Sequence, residues 1–116
     1  MLSKVMIKQI DAFSTVPRKG NPAGVVLNGE DFSDAQMQSI AATVGFNETA
    51  FVLPSTIADF QIRYFTPGHE NNLCGHATIG TIFALLREGK LDKKEFMIET
   101  KAGVLPISIY EKNHQT

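Results

Sequence analysis

Hydrophobic and polar positions along this chain alternate with the two-residue period of strands in several short stretches and with helical spacing in two longer ones. Val5 to Phe13 is rich in β-branched and aromatic residues and reads as a strand. Residues 16 to 24, V-P-R-K-G-N-P-A-G, carry two prolines and two glycines and read as irregular turn. Val25-Val26-Leu27 resumes as a short buried strand. Thr49 to Leu53 is a third strand, stopped by Pro54. Phe60 to Thr66 alternates cleanly, with Phe60, Ile62 and Tyr64 on one face and Gln61 and Arg63 on the other. Glu95 to Tyr110 reads as two strands joined by a K-A-G turn, with Leu105, Ile107 and Ile109 facing one way.

The two helical stretches differ in kind. In F-S-D-A-Q-M, Ser33 is a good N-cap, Gln36 completes a capping box, and Phe32 and Met37 occupy the staple positions. Met37, Ile40, Ala41 and Val44 then mark one apolar face, and Gly45 is placed to end the helix. The spacing predicts an amphipathic helix over 34–44. Residues 76–88 predict a second helix, in which no side chain from Ala77 to Leu86 is charged. A helix that is apolar all round is surrounded by protein. The fold class predicted is α+β. About six strands form a curved sheet or barrel around a central apolar helix, with a surface helix outside. A flat sheet with both helices on one face is the alternative.

Composition narrows the function classes. The 116 residues are 43% hydrophobic and 20% charged, as in an ordinary globular domain. That length fits one domain. A net charge of −1 with scattered Lys and Arg supplies no field for nucleic acid or an anionic membrane. The N-terminus lacks the apolar stretch of a signal peptide, and Ala77–Leu86 is too short to cross a bilayer. One cysteine makes no internal disulfide and suits a reducing compartment, so the expectation is a cytoplasmic chain.

Candidate chemistry gathers at L-C-G-H-A-T, residues 73 to 78. The first amides of the enclosed helix lack intrahelical acceptors, and Gly75 lets a ligand approach them, so Cys74, Gly75 and His76 can hold a carboxylate. A cysteine at a helix start also has a lowered pKa and can act as acid or base. The alternative is a small buried hydrophobe at Cys74 and a packing glycine at 75. His69, Glu70, Cys74 and His76 do not match zinc-site spacings, so no metal is predicted. Glu48, in G-F-N-E-T-A-F-V, is a lone carboxylate between a helix end and an apolar strand. Partial desolvation there raises its pKa toward neutrality; the plain alternative is a turn glutamate. Arg63 and Glu70 read as ordinary surface or loop charges, Asp11 as structural, and His114 as part of a polar tail without a role. G-N-P-A-G, residues 20 to 24, lacks both the Walker lysine and G-x-G-x-x-G, and reads as the wall of a cleft with Asn21 anchoring its turn.

In order along the chain, D-A-F, G-N-P-A-G-V-V, N-E-T-A-F-V-L-P, R-Y-F-T-P-G-H-E, L-C-G-H-A-T and E-T-K-A-G-V-L-P resemble the PhzF-like (phenazine biosynthesis) isomerase family, which is related in fold to diaminopimelate epimerase. The resemblance runs to about Tyr110. It implies a lobe over 1–110, a polar tail over 111–116, and no second lobe, where family members carry two similar lobes with the site between them. It also implies cofactor-independent proton transfer at carbon of a small carboxylate-bearing substrate. Glu48 matches the family's proton shuttle and Cys74 the cysteine of the epimerase relatives. Asn21, Gly75 and His76 line the site. The expected partner is a second copy or a complementary second-lobe chain. The alternative function is a non-catalytic lobe that folds and dimerises without a complete site.

Overall fold

The computed structural model describes residues 7–12 and 21–109, with the backbone alone for 7–12, 21 and 22. The polar tail with His114, the turn residues 16–20 and the Asp11 side chain lie outside the described residues.

Seven strands form one mixed sheet: β1 (Ile7–Ala12), β2 (Asn21–Val26), β3 (Glu48–Leu53), β4 (Phe60–Phe65), β5 (Glu70–Asn71), β6 (Glu95–Thr100) and β7 (Gly103–Ser108). The spatial order is β1-β2-β3-β4-β6-β7, with the two-residue β5 beside the end of β4. The pairs β2–β3 and β4–β6 are parallel. Parallel neighbours need a crossover connection, and the two helices lie in these connections. Helix α1 (Asp34–Val44) lies between β2 and β3, and α2 (Gly75–Arg87) between β4 and β6.

Strand alternation assigns the helices to opposite faces. Val26, Phe51 and Phe65 pack with Phe32, Met37, Ile40 and Ala41 under α1. Val25 and Val52 meet Ala84, while Ala50, Ile62, Tyr64, Phe96 and Ile98 meet Ala77, all on the α2 side. The predicted faces of β4 hold: Ile62 and Tyr64 join the α2 side and Phe65 the α1 side. Leu105, Ile107 and Ile109 pack together against the α2-side cluster. On the α1 face, Phe51 and Phe65 meet edge to face at 5.4 Å.

Helix α1 starts as its sequence predicts. The Gln36 amide donates to Ser33 Oγ and the Gln36 side chain accepts from the Ser33 amide, a complete capping box. Gly45 ends it at φ 75°, in the left-handed region. In α2 the hydroxyls of Thr78 and Thr81 donate to the carbonyls of Cys74 and Ala77, one turn back. This satisfies polar atoms inside an apolar helix.

The structure departs from the sequence reading at three places. Residues 21–24, read as irregular turn, are the start of β2, paired with β1 from Ala12↔Asn21 onward. Pro22 is tolerated because β3 begins opposite Ala23, so Pro22 sits beyond the part of β2 flanked on both sides. The second difference is β5, which is too short to leave a pattern in the sequence. The third concerns α2. It lies against β1, β2 and β3 by one side, and on the other Phe83 is 49% and Leu86 40% exposed.

The short 3-10 turn Gly29–Asp31 leads into α1, and buried Gly29 lies hard against β3. A Cβ at Gly29 would sit 2.8 Å from the Val52 carbonyl oxygen, a backbone atom that cannot rotate away. Gly29→Ala is expected to destabilise the fold by about 1–3 kcal/mol, as overpacking does. Urea unfolding monitored by circular dichroism checks this, and an unchanged midpoint would contradict the close approach.

Candidate active site

Glu48 opens β3 opposite Ala23 of β2. The pleat puts it on the same face as Ala50, the side on which α2 packs. Its side chain is half-buried. Oε2 accepts a 2.6 Å hydrogen bond from Asn71 Nδ2. Oε1 is buried with no partner among the described residues. Burial pushes the Glu48 carboxyl above its ordinary range, opposed by the Asn71 hydrogen bond and by His69. The desolvated carboxylate expected from the sequence is therefore present.

Asn71 reaches Glu48 because of β5. In this two-residue strand, Asn71 pairs with Tyr64 and Glu70 with Phe65, so the two side chains leave on opposite faces. Glu70 is held on the α1 side by a bidentate pair with Arg63, Nε to Oε2 at 2.9 Å and Nη2 to Oε1 at 2.8 Å. Arg63 Nη1 also donates to Asp34 Oδ1, in the first turn of α1, at 2.6 Å. Lys101 Nζ lies 3.1 Å from Glu70 Oε1. Arg63 and Glu70, read from sequence as ordinary surface or loop charges, are instead 13% and 16% exposed at their side chains. They form the clamp that fixes β5. The Arg63 guanidinium, with burial opposing, holds the Glu70 carboxyl below the usual carboxylate range.

Beyond β4 the turn from Thr66 to His69 is closed by the Thr66 amide on the His69 carbonyl at 2.7 Å. The amides of Gly68 and His69 donate to Thr66 Oγ1, the local bonding that suits threonine to turns. Gln38 of α1 donates to the Thr66 carbonyl. His69 Nε2 then lies 3.1 Å from Asn71 Oδ1.

Tyr64 is buried in the same cluster. Its hydroxyl is 2.6 Å from Thr78 Oγ1, and Thr78 donates its one proton to the Cys74 carbonyl, so Tyr64 must be the donor to Thr78. Burial pushes the Tyr64 phenol up to about 12, so it stays protonated at neutral pH. The bonds from Tyr64 to Thr78 and from Thr78 to the Cys74 carbonyl tie β4 to the α2 start.

Cys74 is the N-cap of α2, extended and half-buried, with no side-chain cap on the helix amides. It packs against the cluster that includes Ala50, Ile62 and Tyr64, so its surroundings are those of a small hydrophobe. Gly75 is exposed, and the space where its Cβ would stand is open. His76 is half-buried. The amide of Thr78 is the first to find an intrahelical carbonyl, that of Cys74. The start of α2 carries the partial positive charge of a helix N-terminus. Asn21 stands two residues before Ala23, at the sheet end where Glu48 lies; its side chain lies outside the described residues. Among the described residues, no group of three or more His, Cys, Asp or Glu is arranged to hold a metal ion.

The structure thus brings Asn71 and His69 to Glu48, and Tyr64 and Thr78 to the α2 start. The signal for Tyr64 was its inward position in β4. For Asn71 no signal preceded β5 itself.

A mixed sheet with a crossover helix on each face, and a carboxylate at a strand start near a helix N-terminus, define a lobe of the epimerase-like α+β class. The family model for phenazine biosynthesis-like protein (PhzC-PhzF) matches residues 10–116. An uncharacterised isomerase of Bacillus subtilis, YfhB, is 49% identical over 113 residues, covering 97% of this chain and 39% of the relative. Trans-2,3-dihydro-3-hydroxyanthranilate isomerase of Pseudomonas chlororaphis is 38% identical, covering 90% of this chain and 37% of the relative. A crystal structure of a Bacillus anthracis PhzF-family phenazine biosynthesis protein superposes with a TM-score of 0.90 at 50% identity, covering 96% of this chain and 38% of that one. A hydroxyproline epimerase from Agrobacterium vitis shares the fold, with a TM-score of 0.64 at 16% identity over 86% of this chain and 35% of that one. The chain belongs to the PhzC-PhzF family of phenazine biosynthesis-like proteins and spans about two fifths of the length of these relatives.

Proposed function

We propose that this chain supplies the Glu48-bearing half of a PhzF-like isomerase or epimerase. The reaction is cofactor-independent movement of a proton at carbon of a small carboxylate-bearing metabolite. The observation that carries this reading is the Glu48 carboxyl itself, with one oxygen held by Asn71 and the other buried without a partner. A general base needs a raised pKa and an uncommitted lone pair; burial raises the Glu48 carboxyl, and Oε1 has no partner among the described residues. Glu48 Oε1 takes the proton from one substrate carbon, becomes a neutral acid, and returns the proton to carbon. The start of α2, at Gly75 and His76, carries the partial positive charge that attracts the substrate carboxylate. Asn21 borders the cleft, and Cys74 is the secondary acid or base. In an active assembly, wild-type protein will exchange solvent deuterium into a substrate found by screening small amino and hydroxy acids. Exchange by a Glu48→Gln protein equal to wild type would overturn this reading.

The partner in this reading is a second lobe, either another copy of this chain or a complementary chain. Ile79, Phe83 and Leu86, spaced one and two turns apart, leave an apolar stripe on the side of α2 away from the sheet. A two-fold pairing of copies on this stripe makes a homodimer. Phe83→Glu is expected to convert sedimentation from dimer to monomer with the circular dichroism spectrum unchanged. Equal sedimentation of the two proteins would remove the stripe as an interface. No described helix is long and apolar enough to cross a membrane, and a cytoplasmic location is part of the proposal.

A second reading, favoured by the exposed Phe83 and Leu86 on α2, is a non-catalytic lobe that folds and dimerises without a complete site. A dimer without deuterium exchange on any screened acid supports it; exchange by the purified chain eliminates it.

A further inference from the structure

We infer that His69 and Asn71 form a hydrogen-bonded relay that orients the Glu48 carboxylate, with His69 a positioning residue acting through the Asn71 amide. This inference rests on the reading of Glu48 as the proton carrier.

The polarity of the relay follows from the partners. An ionised carboxylate only accepts, so Asn71 must turn its NH2 toward Glu48 Oε2, at 2.6 Å. Asn71 Oδ1 then faces His69 Nε2, at 3.1 Å, and can only accept from it. His69 therefore carries its proton on Nε2. Its Nδ1 lies 3.2 Å from Thr66 Oγ1, whose one proton is shared between that nitrogen and the His69 carbonyl at 3.1 Å.

An asparagine amide has two orientations, related by a half-turn, that differ little in shape. Without a donor at its oxygen, Asn71 is free to present Oδ1 to Glu48, which repels the ionised form. With His69 in place, that orientation sets Asn71 NH2 against His69 N–H and is disfavoured on both sides. His69 thus fixes which Glu48 oxygen is engaged and leaves Oε1 for the substrate. Among the described residues, the titratable neighbours of Glu48 are His69, from the turn, and Tyr64, from β4. Tyr64 has its proton committed to Thr78, which leaves His69 as the group that bears on the relay.

The test is a titration of the Glu48 side-chain carboxyl by carbon-13 NMR in the full chain, with Glu48→Gln identifying its signal. His69→Ala is expected to move the Glu48 midpoint upward. His69→Gln keeps an N–H at the position of Nε2 and should return the midpoint toward wild type, whereas His69→Asn, which is too short, should not. His69 is exposed, so these variants are expected to retain the wild-type melting temperature. A His69→Ala midpoint equal to wild type overturns the relay. A His69→Gln midpoint equal to that of His69→Ala also overturns it, because the effect would then be the charge of His69 alone. If the midpoints behave as stated while deuterium exchange in the active assembly ignores Glu48→Gln, the relay stands and the catalytic reading of Glu48 falls instead.

Discussion

Glu48→Gln is expected to lower solvent deuterium exchange in the active assembly by about 10²- to 10⁴-fold, the usual contribution of a positioned acid or base. The amide oxygen of glutamine can still accept from Asn71, so the architecture around β5 is kept. The same substitution has a signature in stability. Burial raises the Glu48 carboxyl above its ordinary 4.5, so the folded protein holds that proton more tightly than the unfolded chain. Fold stability from this group is fully present below the ordinary value and is lost as pH rises through the folded one. Wild type therefore declines in stability relative to the glutamine variant over that window. The melting-temperature difference between the two proteins should open from acid toward neutral pH in favour of glutamine. A difference that does not change with pH would show that the carboxyl is not desolvated. Lost activity with equal or greater stability is the trade expected of a group held for chemistry.

Arg63→Met is expected to cost substantial stability. The guanidinium joins β4, β5 and the first turn of α1, and also lies over the Phe65 ring at 5.4 Å. Methionine keeps part of the packing but strands Glu70 with Lys101 alone. Breaking a buried pair from one side costs several kcal/mol, and with residual exposure on both partners about 2 kcal/mol is expected. For a domain of this size that lowers the melting temperature by about 8 °C. The pH dependence runs opposite to that of Glu48. Glu70 titrates below its ordinary 4.5, so its contribution is present above that value and is lost as pH falls through the depressed one. The deficit of Arg63→Met should therefore be full at neutral pH and shrink in acid. Hydrogen exchange should also quicken at residues 70 and 71 ahead of β3. A deficit that is the same at all pH values would mean that packing, not the ion pair, is what Arg63 supplies.

Much of this architecture was legible because it is local. The capping box at Ser33 and Gln36, the left-handed stop at Gly45 and the alternation of β4 are each decided within a few residues. Glu48 was legible as a carboxylate with no local reason to stand before an apolar strand. Cys74 and His76 drew attention as reactive residue types, yet the structure gives Cys74 apolar neighbours and leaves the helix amides as the polar feature there. What the sequence could not display was lateral. Residues 16–24 looked like turn because two glycines and two prolines lie there, and only pairing with β1 makes strand of the end, Asn21–Gly24. The bond from Asn71 to Glu48 spans 23 residues in sequence and that from Arg63 to Asp34 spans 29. No periodicity encodes such pairs. Arg63 looked like a solvent charge because it shares the polar face of β4 with Gln61, and Glu70 because it sits between His69 and Asn71; α1 then covers Arg63 through Asp34.

The brevity of β5 has a mechanical consequence. Two consecutive residues of a strand cannot move independently, so Glu70 and Asn71 act as the two arms of a rocker pivoted on the end of β4. Any force on one arm is delivered to the other through a sheet wall that no solute crosses. Asp34 and Lys101 lie on the far side of that wall, out of reach of anything bound at the α2 start. Even so, Lys101 directly and Asp34 through Arg63 hold the Glu70 arm, whose neighbour Asn71 bonds the Glu48 carboxylate. Variants selected for altered turnover should accordingly include substitutions on the α1 surface, and these should change rate without changing what the site binds.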